Sequence, residues 1–566
     1  MKRQSAAAAL VALILTGSAQ ARDSADLVLF HGKVLTVDQA FSIQSAIVVK
    51  DGKVLAVGDD SLAEKYDAPT RIDLKGRTLM PGFMDNHLHP MTQGKRAIDA
   101  ENARSVADIQ SMLRAKAKEL GPGEWITGFG WAEVNLKENR NLTRKDLDVA
   151  TPENPVVLTR AGGHSSVGNS LALKAAGITR TTEDPQRGVI EHFPDGEPNG
   201  IIRERSDLYN SMVPPDDPDS LRPGLVAVMK GLPALGITSM NIASASIQDE
   251  LAKPGEPQKP IRGLTFKRLQ SIYHDYGDVL PRAAVQISYP GPGLLATYPH
   301  KTGYGDDRLK LGAIGEAPGV DGGFTGPTAW TTHDYNGQPG FRGRGNYPND
   351  ADLQAIADDV AKSGWQLGLH SIGDAAINQA VRVWIAALKK YPQKDPRWYL
   401  AHFTMIPSDE TLTAMAKNHI LANAQPNFLY TLENRYVETL NGYDLEHNNP
   451  VAVAAKRGVF VSFGSDNLPI DPRVGLYAAV TRKGLTGKRV YGPEEAVSIQ
   501  EAIRMYTYNP TVLTWDENKK GSLEPGKFAD FIILDSDPLT IAPEKLLTMK
   551  VVQTFIGGKK VYPAGN

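Results

Sequence analysis

The middle of the chain alternates short apolar strand-like segments with amphipathic helix-like segments, and this alternation constrains the fold most strongly. Helical patterns over 351–363, 375–390, 407–418 and 449–457 are each followed by a strand pattern, at 366–370, 397–402, 420–424 and 459–463. Repeated strand–helix units predict a parallel sheet. Strands that end in His or Asp favour a (β/α)8 barrel, because catalytic groups of that fold sit at the strands' carboxyl ends. A doubly wound sheet is the alternative, although no Gly-x-Gly-x-x-Gly turn opens a helix.

Both ends of the chain contain short strands separated by tight turns. Near the N-terminus two strand patterns flank Asp51-Gly52, a strong hairpin signal, and residues 529–562 repeat the style. We expect residues 22–80 and 511–566 to pair in one small β-sandwich beside a barrel of residues 81–510. The stretch from His89 to Lys310 is longer than three or four β-α units need at roughly 30 residues each. A large insertion is therefore expected within 120–300.

Residues 1–21 have the layout of a secretory signal peptide. Lys2 and Arg3 precede an apolar run over 6–15, and Ala19-Gln20-Ala21 has the small-x-small pattern of a cleavage site. The apolar run is too short to span a bilayer. We expect cleavage after Ala21 and a periplasmic or secreted mature protein without a membrane anchor. An uncleaved N-terminal anchor is the alternative.

The composition excludes several classes of protein. There are 62 Lys and Arg against 64 Asp and Glu, a net charge of −2, which argues against a nucleic-acid binder. The absence of Cys excludes thiol catalysis, disulfides and Cys-ligated metal sites. Any metal ion must therefore be held by His, by carboxylates or by a modified Lys. The expected partner is a small-molecule substrate, and homo-oligomerisation is left open.

Ligand-type side chains recur where the expected barrel strands end. His87 and His89 follow the first of these strands, and residues i and i+2 of an extended chain point the same way. His370 and His402 end two strands that are one β-α unit apart, and Asp466 follows a strand two units later. A buried core His explains any one of these residues. Ligand-type residues at the ends of several strands predict a metal centre.

The sequence resembles a known family at these positions. Pro81-Gly82-Phe83-Met84-Asp85-Asn86-His87-Leu88-His89, with His370, His402 and Asp466, is similar to the amidohydrolase superfamily of metal-dependent hydrolases. The motifs that narrow the resemblance to the YtcJ-like branch (amidohydrolase family 3) are Gly128-Phe129-Gly130-Trp131, Gly163-His164-Ser165, Ala424-Gln425-Pro426 and the segment 521–530. The resemblance covers nearly all of the mature chain. It implies an α/β fold, a distorted (β/α)8 TIM barrel with a small composite β-sandwich.

The resemblance also implies one or two divalent metal ions and their ligands. His87 and His89 would bind the more buried ion, and His370 and His402 a second one. Zinc is the expected metal, although these ligand types suit Mn, Fe and Co as well. Asp466 would bind metal and act as the general base.

Lys310 is the candidate for a carboxylated bridge between two metal ions. Related sequences usually have an Asp-Gly pair a few residues after this Lys, where this chain has Ala313-Ile314-Gly315-Glu316. His164 is the second expected catalytic residue, because it can hydrogen-bond the tetrahedral oxygen or the substrate. Trp131 and Glu204 are expected to line the substrate pocket.

The implied activity is hydrolysis of a C–N bond in a non-peptide amide or N-acyl compound, with metal-activated water as the nucleophile. The alternatives are an esterase or lactonase and a heterocycle deaminase that use the same metal site. A third is a non-catalytic exported protein that binds a ligand or regulates another process. The complete set of five ligand residues argues against this third alternative.

Overall fold

The computed structural model describes residues 23–92, 94–186, 188–251 and 263–564. The expected signal peptide over 1–21 lies outside the described residues. In these four ranges, no helix combines the length and the apolar character that crossing a membrane requires.

Eight parallel strands form one nearly closed barrel, which confirms the predicted fold class. They are β1 (Phe83–Leu88), β2 (Ile237–Ala245), β3 (Arg282–Ile287), β4 (Leu309–Glu316), β5 (Leu367–Ser371), β6 (Tyr399–His402), β7 (Leu421–Ala424) and β8 (Val461–Phe463). Each of these strands, from β1 to β7, pairs with the one that follows it in this numbering. β1 meets β8 through side chains, because Asn86 Nδ2 donates to Ser462 Oγ at 3.1 Å. The strands are almost wholly buried, as expected when helices cover a parallel sheet.

Helices connect the barrel strands and cover their outer face. The longer ones are Pro218–Gly231, Phe266–Tyr276, Asp350–Lys362, Asp374–Lys390, Asp409–Asn418, Pro426–Thr439, Pro472–Thr481 and Ile499–Thr507. The shorter ones are Gln248–Leu251, Leu294–Thr297, Gly442–Glu446, Ala452–Lys456 and Asn509–Leu513. The helices Arg144–Asp148, Ser170–Ala175 and Asp207–Asn210 belong to the domain inserted between β1 and β2, and Leu62–Lys65 packs on strands of the small β-domain. In Asp374–Lys390, Ile377, Val381 and Trp384 are buried at helical spacing, so this face packs against the barrel. The sequence predicted a helix over 449–457, of which the structure retains only Ala452–Lys456.

A separate domain is inserted between β1 and β2. Its six-stranded sheet has the order Ala97–Asp99, Ile126–Trp131, Val156–Arg160, Ser165–Gly168, Pro198–Arg203 and Val189–His192. The helix Val106–Leu120 packs on this sheet through Ile109 and Leu113. The insertion thus begins before residue 120 and its sheet ends well before residue 300, which corrects the expected bounds.

Strands from both chain ends form the small β-domain. One sheet has the order Lys53–Gly58, Ala46–Lys50, Leu27–Phe30 and Thr70–Asp73. The other has the order Lys559–Tyr562, Val551–Ile556, Phe531–Leu534, Thr78–Pro81, Lys33–Leu35 and Ile43–Gln44. A minor pair joins Asp23–Ser24 to Tyr66–Asp67. C-terminal strands therefore pair with N-terminal ones, as the composite arrangement predicts.

The segment 78–85 is divided between two domains. Thr78–Pro81 pairs with Phe531–Leu534 in the small domain, whereas β1 begins at Phe83 in the barrel. Gly82 lies at the division, where a Cβ atom would come within 2.2 Å of the Thr238 side chain. The close approach requires Gly there and fixes the junction between the domains.

Candidate metal centre

The carboxyl ends of the barrel strands bring the five predicted ligand residues together. His87 lies in β1 and His89 just beyond it, His370 lies in β5, His402 ends β6, and Asp466 follows β8. Three overlapping groups, each with ligand atoms within 4.8 Å of one another, connect these residues. Because the barrel strands are parallel, their carboxyl ends carry all five residues to the same end of the barrel.

Glu316, the last residue of β4, occupies the middle of the cluster. Its Oε2 lies 3.5 Å from His87 Nε2 and 3.4 Å from His402 Nε2. Its Oε1 lies 3.5 Å from His370 Nδ1. Two ligands that are each about 2.1 Å from one tetrahedral ion lie about 3.4 Å apart, so these separations suit shared coordination.

Asp466 and His89 complete the other side of the cluster. Asp466 Oδ1 lies 3.6 Å from His89 Nε2. The backbone N–H of Asp466 donates to His87 O at 2.7 Å, which ties the end of β8 to the end of β1. The φ angles of Asp466 and Glu316, +56° and +60°, are rare for residues with a side chain. Such backbone strain is typical of functional sites.

Several buried polar atoms of the cluster lack a hydrogen-bond partner. They are both ring nitrogens of His87, Nε2 of His402 and Oε2 of Glu316. An unpaired buried polar atom costs about 1–3 kcal/mol, so four in one place call for an explanation. A divalent cation accounts for one nitrogen of His87, for His402 Nε2 and for Glu316 Oε2, because imidazole and carboxylate are its usual ligands. The residues present therefore fit a metal ion.

Hydrogen bonds outside the cluster fix the orientation of two imidazoles. His402 Nδ1 donates to Gln425 Oε1 at 2.9 Å, which leaves Nε2 as the nitrogen that faces Glu316. His370 Nε2 lies 3.3 Å from the carbonyl oxygen of Gly322 and must carry the hydrogen, so Nδ1 faces Glu316. Such bonds set the tautomer of a metal-binding His.

Buried charges strongly shift ionisation in the cluster. Burial lowers the pKa of His87 to about 3, so its imidazole is neutral and can donate a lone pair. Burial alone would raise the pKa of Glu316, but the attraction of His402 holds it well below its ordinary value. Burial raises the pKa of Asp85 to about 7, and this carboxylate accepts hydrogen bonds from the backbone of His87 and Ser465. Asp85 thereby joins the segments that carry His87 and Asp466.

Lys310 does not lie at this site, which corrects the expectation that it forms a carboxylated bridge. Its Nζ donates to Asp516 Oδ1 at 2.7 Å and to Thr514 O at 2.6 Å. Lys310 is near the amino end of β4, whereas Glu316 ends that strand. At about 3.3 Å per residue, six residues separate the two by about 20 Å. Glu316 stands where the bridging carbamate was expected.

Glu316 was recognised in the sequence only as part of a departure from the family pattern. The rule that found His370 and His402, namely ligand-type residues at the carboxyl end of a barrel strand, also points to Glu316. The family resemblance points instead to Lys310 in the same strand. The sequence signal for Glu316 is its position at the carboxyl end of that strand.

The inserted domain supplies His164 to the site. His164 follows the strand Val156–Arg160, and its ring centroid lies 5.2 Å from that of His370. Its Nδ1 is 3.0 Å from Glu204 Oε2, and Thr328 Oγ1 donates to the other oxygen of Glu204. Burial alone would lower the pKa of His164, but the Glu204 carboxylate raises it to about 9. Glu204 thus holds and charges His164 beside the cluster.

Trp131 does not line this site, contrary to expectation. It is only 2% exposed and packs in the core of the inserted domain with Leu136 and Leu158. Its indole N–H donates to Leu158 O at 3.4 Å. Trp131 is the last residue of the strand Ile126–Trp131, and its large side chain fills the core of the inserted domain.

A sequence profile described as the Amidohydrolase family matches residues 70–562. The chain belongs to the amidohydrolase family. It is 27% identical over 548 residues to YtcJ of Bacillus subtilis, which bears an amidohydrolase name, and the alignment covers 94% of this chain and 99% of that protein. It is also 27% identical over 559 residues to the N-substituted formamide deformylase of Arthrobacter pascens, covering 94% and 97% of the two chains. The predicted resemblance to the YtcJ-like branch is confirmed.

Solved structures agree on the fold. An uncharacterized metal-dependent hydrolase from Pyrococcus horikoshii superposes with a TM-score of 0.68 at 22% identity, covering 92% of this chain and 99% of that one. The atrazine chlorohydrolase TrzN from Arthrobacter aurescens, solved with zinc, superposes with a TM-score of 0.51 at 14% identity, covering 94% of each chain. At these identities the likeness shows the shared barrel architecture.

Proposed function

We propose that this protein is a metal-dependent hydrolase that cuts the C–N bond of a non-peptide amide or N-acyl compound. The observation that carries the proposal is the cluster of four His and two carboxylates, in which four buried nitrogen and oxygen atoms lack hydrogen-bond partners. The full-length similarity to N-substituted formamide deformylase supports an amide as the substrate class.

We further propose that the cluster holds one or two zinc ions. His87, His89, His370, His402, Glu316 and Asp466 would hold them, with Glu316 as the carboxylate between the imidazoles. When bound, such an ion lowers the pKa of water to near 7 and polarises a carbonyl group. Inductively coupled plasma mass spectrometry of protein purified without added metal measures the identity and number of ions per chain.

Asp466 acts as the general base and then as the general acid. Its carboxylate lines a cavity beside His402 and His164, so a water proton and the substrate nitrogen can both reach it. It takes the proton from water as the oxygen attacks the carbonyl carbon, and it returns this proton to the departing nitrogen. The hydrogen bond from its own N–H to His87 O holds it in place during both transfers.

His164 stabilises the carbonyl oxygen on which negative charge develops. Glu204 engages Nδ1, so Nε2 is the nitrogen that can donate to a substrate oxygen. A positioned donor in a water-poor site stabilises charge in the transition state by roughly 3–4 kcal/mol. The ion pair with Glu204 keeps the imidazole protonated at neutral pH.

The test is hydrolysis of a panel of N-acyl amines and the corresponding esters by wild type and Asp466→Asn. We expect amides to be preferred, and D466N to lose about 10²- to 10⁴-fold in kcat while it remains folded. The matched control is Asp395→Asn, an exposed carboxylate paired with Arg397, which should keep wild-type activity. Preference for esters, or equal activity of D466N and wild type, would contradict the proposal.

We also propose export with cleavage after Ala21, on the pattern of residues 1–21. N-terminal sequencing of protein recovered from the periplasmic fraction should then begin at Arg22. An intact N-terminus in the cytosolic fraction would contradict this.

A further inference from the structure

The segment 317–349, which follows β4, wraps around His370 of the metal centre. Val320 N–H donates to His370 O at 2.8 Å, and Gly322 O lies 3.3 Å from Nε2 of the ring. A Cβ atom at Gly319 would lie only 3.2 Å from Cδ2 of the same ring, so this residue packs directly against the imidazole. The placement of residues 319–322 therefore sets how His370 is oriented.

Asp321, which is only 3% exposed, anchors these four residues. Its Oδ1 accepts the N–H of Ile372 at 3.0 Å, and its Oδ2 accepts those of Gly373 and Trp330 at 2.8 Å each. Ile372 and Gly373 directly follow β5, the strand that carries His370. Hydrogen bonds to an ionised carboxylate are roughly twice as strong as neutral ones. Asp321 thus clamps the segment onto the end of β5.

Asp321 faces the imidazole of His370 and not the middle of the ligand cluster. Its Oδ1 lies 3.9 Å from His370 Nε2, whereas Glu316 faces the other ring nitrogen. Among the described residues, Asp321 belongs to none of the three groups of ligand atoms. Its negative charge and the Gly322 carbonyl both favour a hydrogen on Nε2. The lone pair is then left on Nδ1, which faces Glu316.

We propose that Asp321 is a positioning residue, which fixes the orientation and the tautomer of His370 by holding Gly322 O against Nε2. This inference rests on the proposed function, since only a lone pair on Nδ1, directed at Glu316, lets His370 bind a metal ion there. An Asn side chain cannot replace the carboxylate, because it has one oxygen where Asp321 uses two. Asp321→Asn is therefore the informative substitution.

A second buried carboxylate anchors the same segment at a different point. Asp374 accepts the backbone N–H of Thr332 at 3.0 Å and also the hydroxyl of Thr332. It begins the helix Asp374–Lys390. Asp374→Asn weakens the hold on 317–349 but leaves the hydrogen bonds of Asp321 in place. It is therefore the matched control for a purely structural role.

Zinc affinity tests the proposal on the full chain. Metal-free wild type, D321N and D374N are each titrated with Zn²⁺ in competition with a chromophoric chelator. D321N should bind Zn²⁺ about 10- to 100-fold more weakly than wild type, because the groups that support a ligand contribute that much. D374N should stay within a few-fold of wild type. Wild-type affinity in D321N, or an equal loss in D374N, would overturn the proposal.

A double-substitution cycle shows whether Asp321 acts through His370. With His370→Ala as the background, D321N should change the Zn²⁺ affinity by less than about twofold, because no imidazole is left to position. The full loss in that background would mean that Asp321 supports the fold as a whole, and the proposal would be wrong.

Asn346 offers a milder variant if D321N does not fold. Its Nδ2 donates to Gly319 O at 2.9 Å and to Asp321 O at 3.2 Å, so it also holds residues 319–322. Asn346→Ala should weaken Zn²⁺ binding severalfold when His370 is present and leave it unchanged in H370A. Unchanged affinity when His370 is present, or the same loss in both backgrounds, would contradict the proposal.

The tautomer of His370 separates this inference from the proposed function. Histidine ¹⁵N NMR of metal-free protein, at a pH where the imidazole is neutral, identifies the His370 signal by its loss in H370A. We expect the hydrogen on Nε2 in wild type and a population with the hydrogen on Nδ1 in D321N. If wild type binds no Zn²⁺, the proposed function fails, yet this change of tautomer would still support the role of Asp321. The same tautomer in both proteins would overturn the inference whatever the affinity for Zn²⁺.

Discussion

Glu316 is the residue on which the cluster is centred, since its carboxylate faces His87, His370 and His402 at 3.4–3.5 Å. Glu316→Gln removes the negative charge that faces three imidazoles and that would face the proposed cation. We expect metal affinity to fall on the order of 100-fold or more, because even residues that only support ligands contribute 10- to 100-fold. Metal content after dialysis against a chelator measures this.

Lys310→Gln is the matched variant, on the same strand but at its other end. Its amine contacts Asp516 and Thr514, so K310Q should retain as much metal as wild type. If K310Q loses metal and E316Q does not, the bridging role belongs to the Lys after all.

We expect His164 to set an upper pH limit on activity. Its pKa of about 9 depends on Glu204, and only the protonated imidazole supplies a charged donor. In wild type, kcat/KM should therefore fall as pH rises through about 9. In Glu204→Gln the largest of the interactions that oppose burial is lost, and only Glu316 and Asp466 still raise the pKa of His164, so the fall should move to lower pH.

The control for this pH profile is Glu191→Gln. Glu191 pairs with Arg203 in the same inserted sheet and does not contact His164. Its pH profile should match wild type, and an unshifted profile in E204Q would mean that His164 takes no part in the reaction.

Among the secondary-structure elements, the helix Pro426–Thr439 is held against the inserted domain by a buried charge cluster. Glu133 accepts from Arg160 Nε and Nη2 at 2.8 and 2.7 Å, and Arg435 of the helix contacts the same carboxylate. The helix also carries Phe428 and Leu432, which line the same cavity as His164, His402 and Asp466. The charge cluster therefore links the inserted domain to the wall of the site.

Glu133→Gln leaves the buried Arg160 without its counter-charge and leaves Arg435 paired only with the exposed Glu438. We expect the free energy of unfolding to fall by about 3–5 kcal/mol, measured by urea denaturation. Glu438→Gln is the matched control, because Glu438 pairs with Arg435 at 2.9 Å on the exposed side. Its loss should stay within about 1 kcal/mol. Equal losses in both variants would show that the buried pairing does not hold the helix.

The elements also show how far the sequence predicts this protein. Alternating strands and helices, with His at strand ends, placed His87, His370 and His402 at one rim, because parallel strands of a barrel share an end. The burial of Trp131 depends on its packing in the inserted domain, and no local sequence pattern predicts that packing. The division of 78–85 at Gly82 depends on a contact with Thr238, a residue far away in the chain. Long-range contacts of this kind are absent from local sequence patterns.

At the scale of the whole molecule, a buried ion pair joins the small domain to the barrel. Arg282 of β3 donates to Asp530 at 2.7 Å, and both side chains are 5% exposed. Asp530→Asn leaves Arg282 buried without its counter-charge, so the free energy of unfolding should fall by about 3–5 kcal/mol. Thermal and urea denaturation measure the loss.

A second ion pair between the same domains is the control. Lys559 and Asp278 lie 3.5 Å apart, and both side chains are more than two-thirds exposed. Asp278→Asn should cost no more than about 1 kcal/mol, since water screens the pair. A cost as large as that of D530N would mean that burial does not set the strength of the connection.

The small domain makes the two termini of the polypeptide interdependent. Thr78–Pro81 finds one of its two neighbours, Phe531–Leu534, only when synthesis is nearly complete. Until then one edge of that strand is bare, and a bare edge invites pairing with other chains. A chain whose synthesis stops early thus keeps an unpaired strand edge and is prone to aggregate. Only the full-length chain can cover that edge.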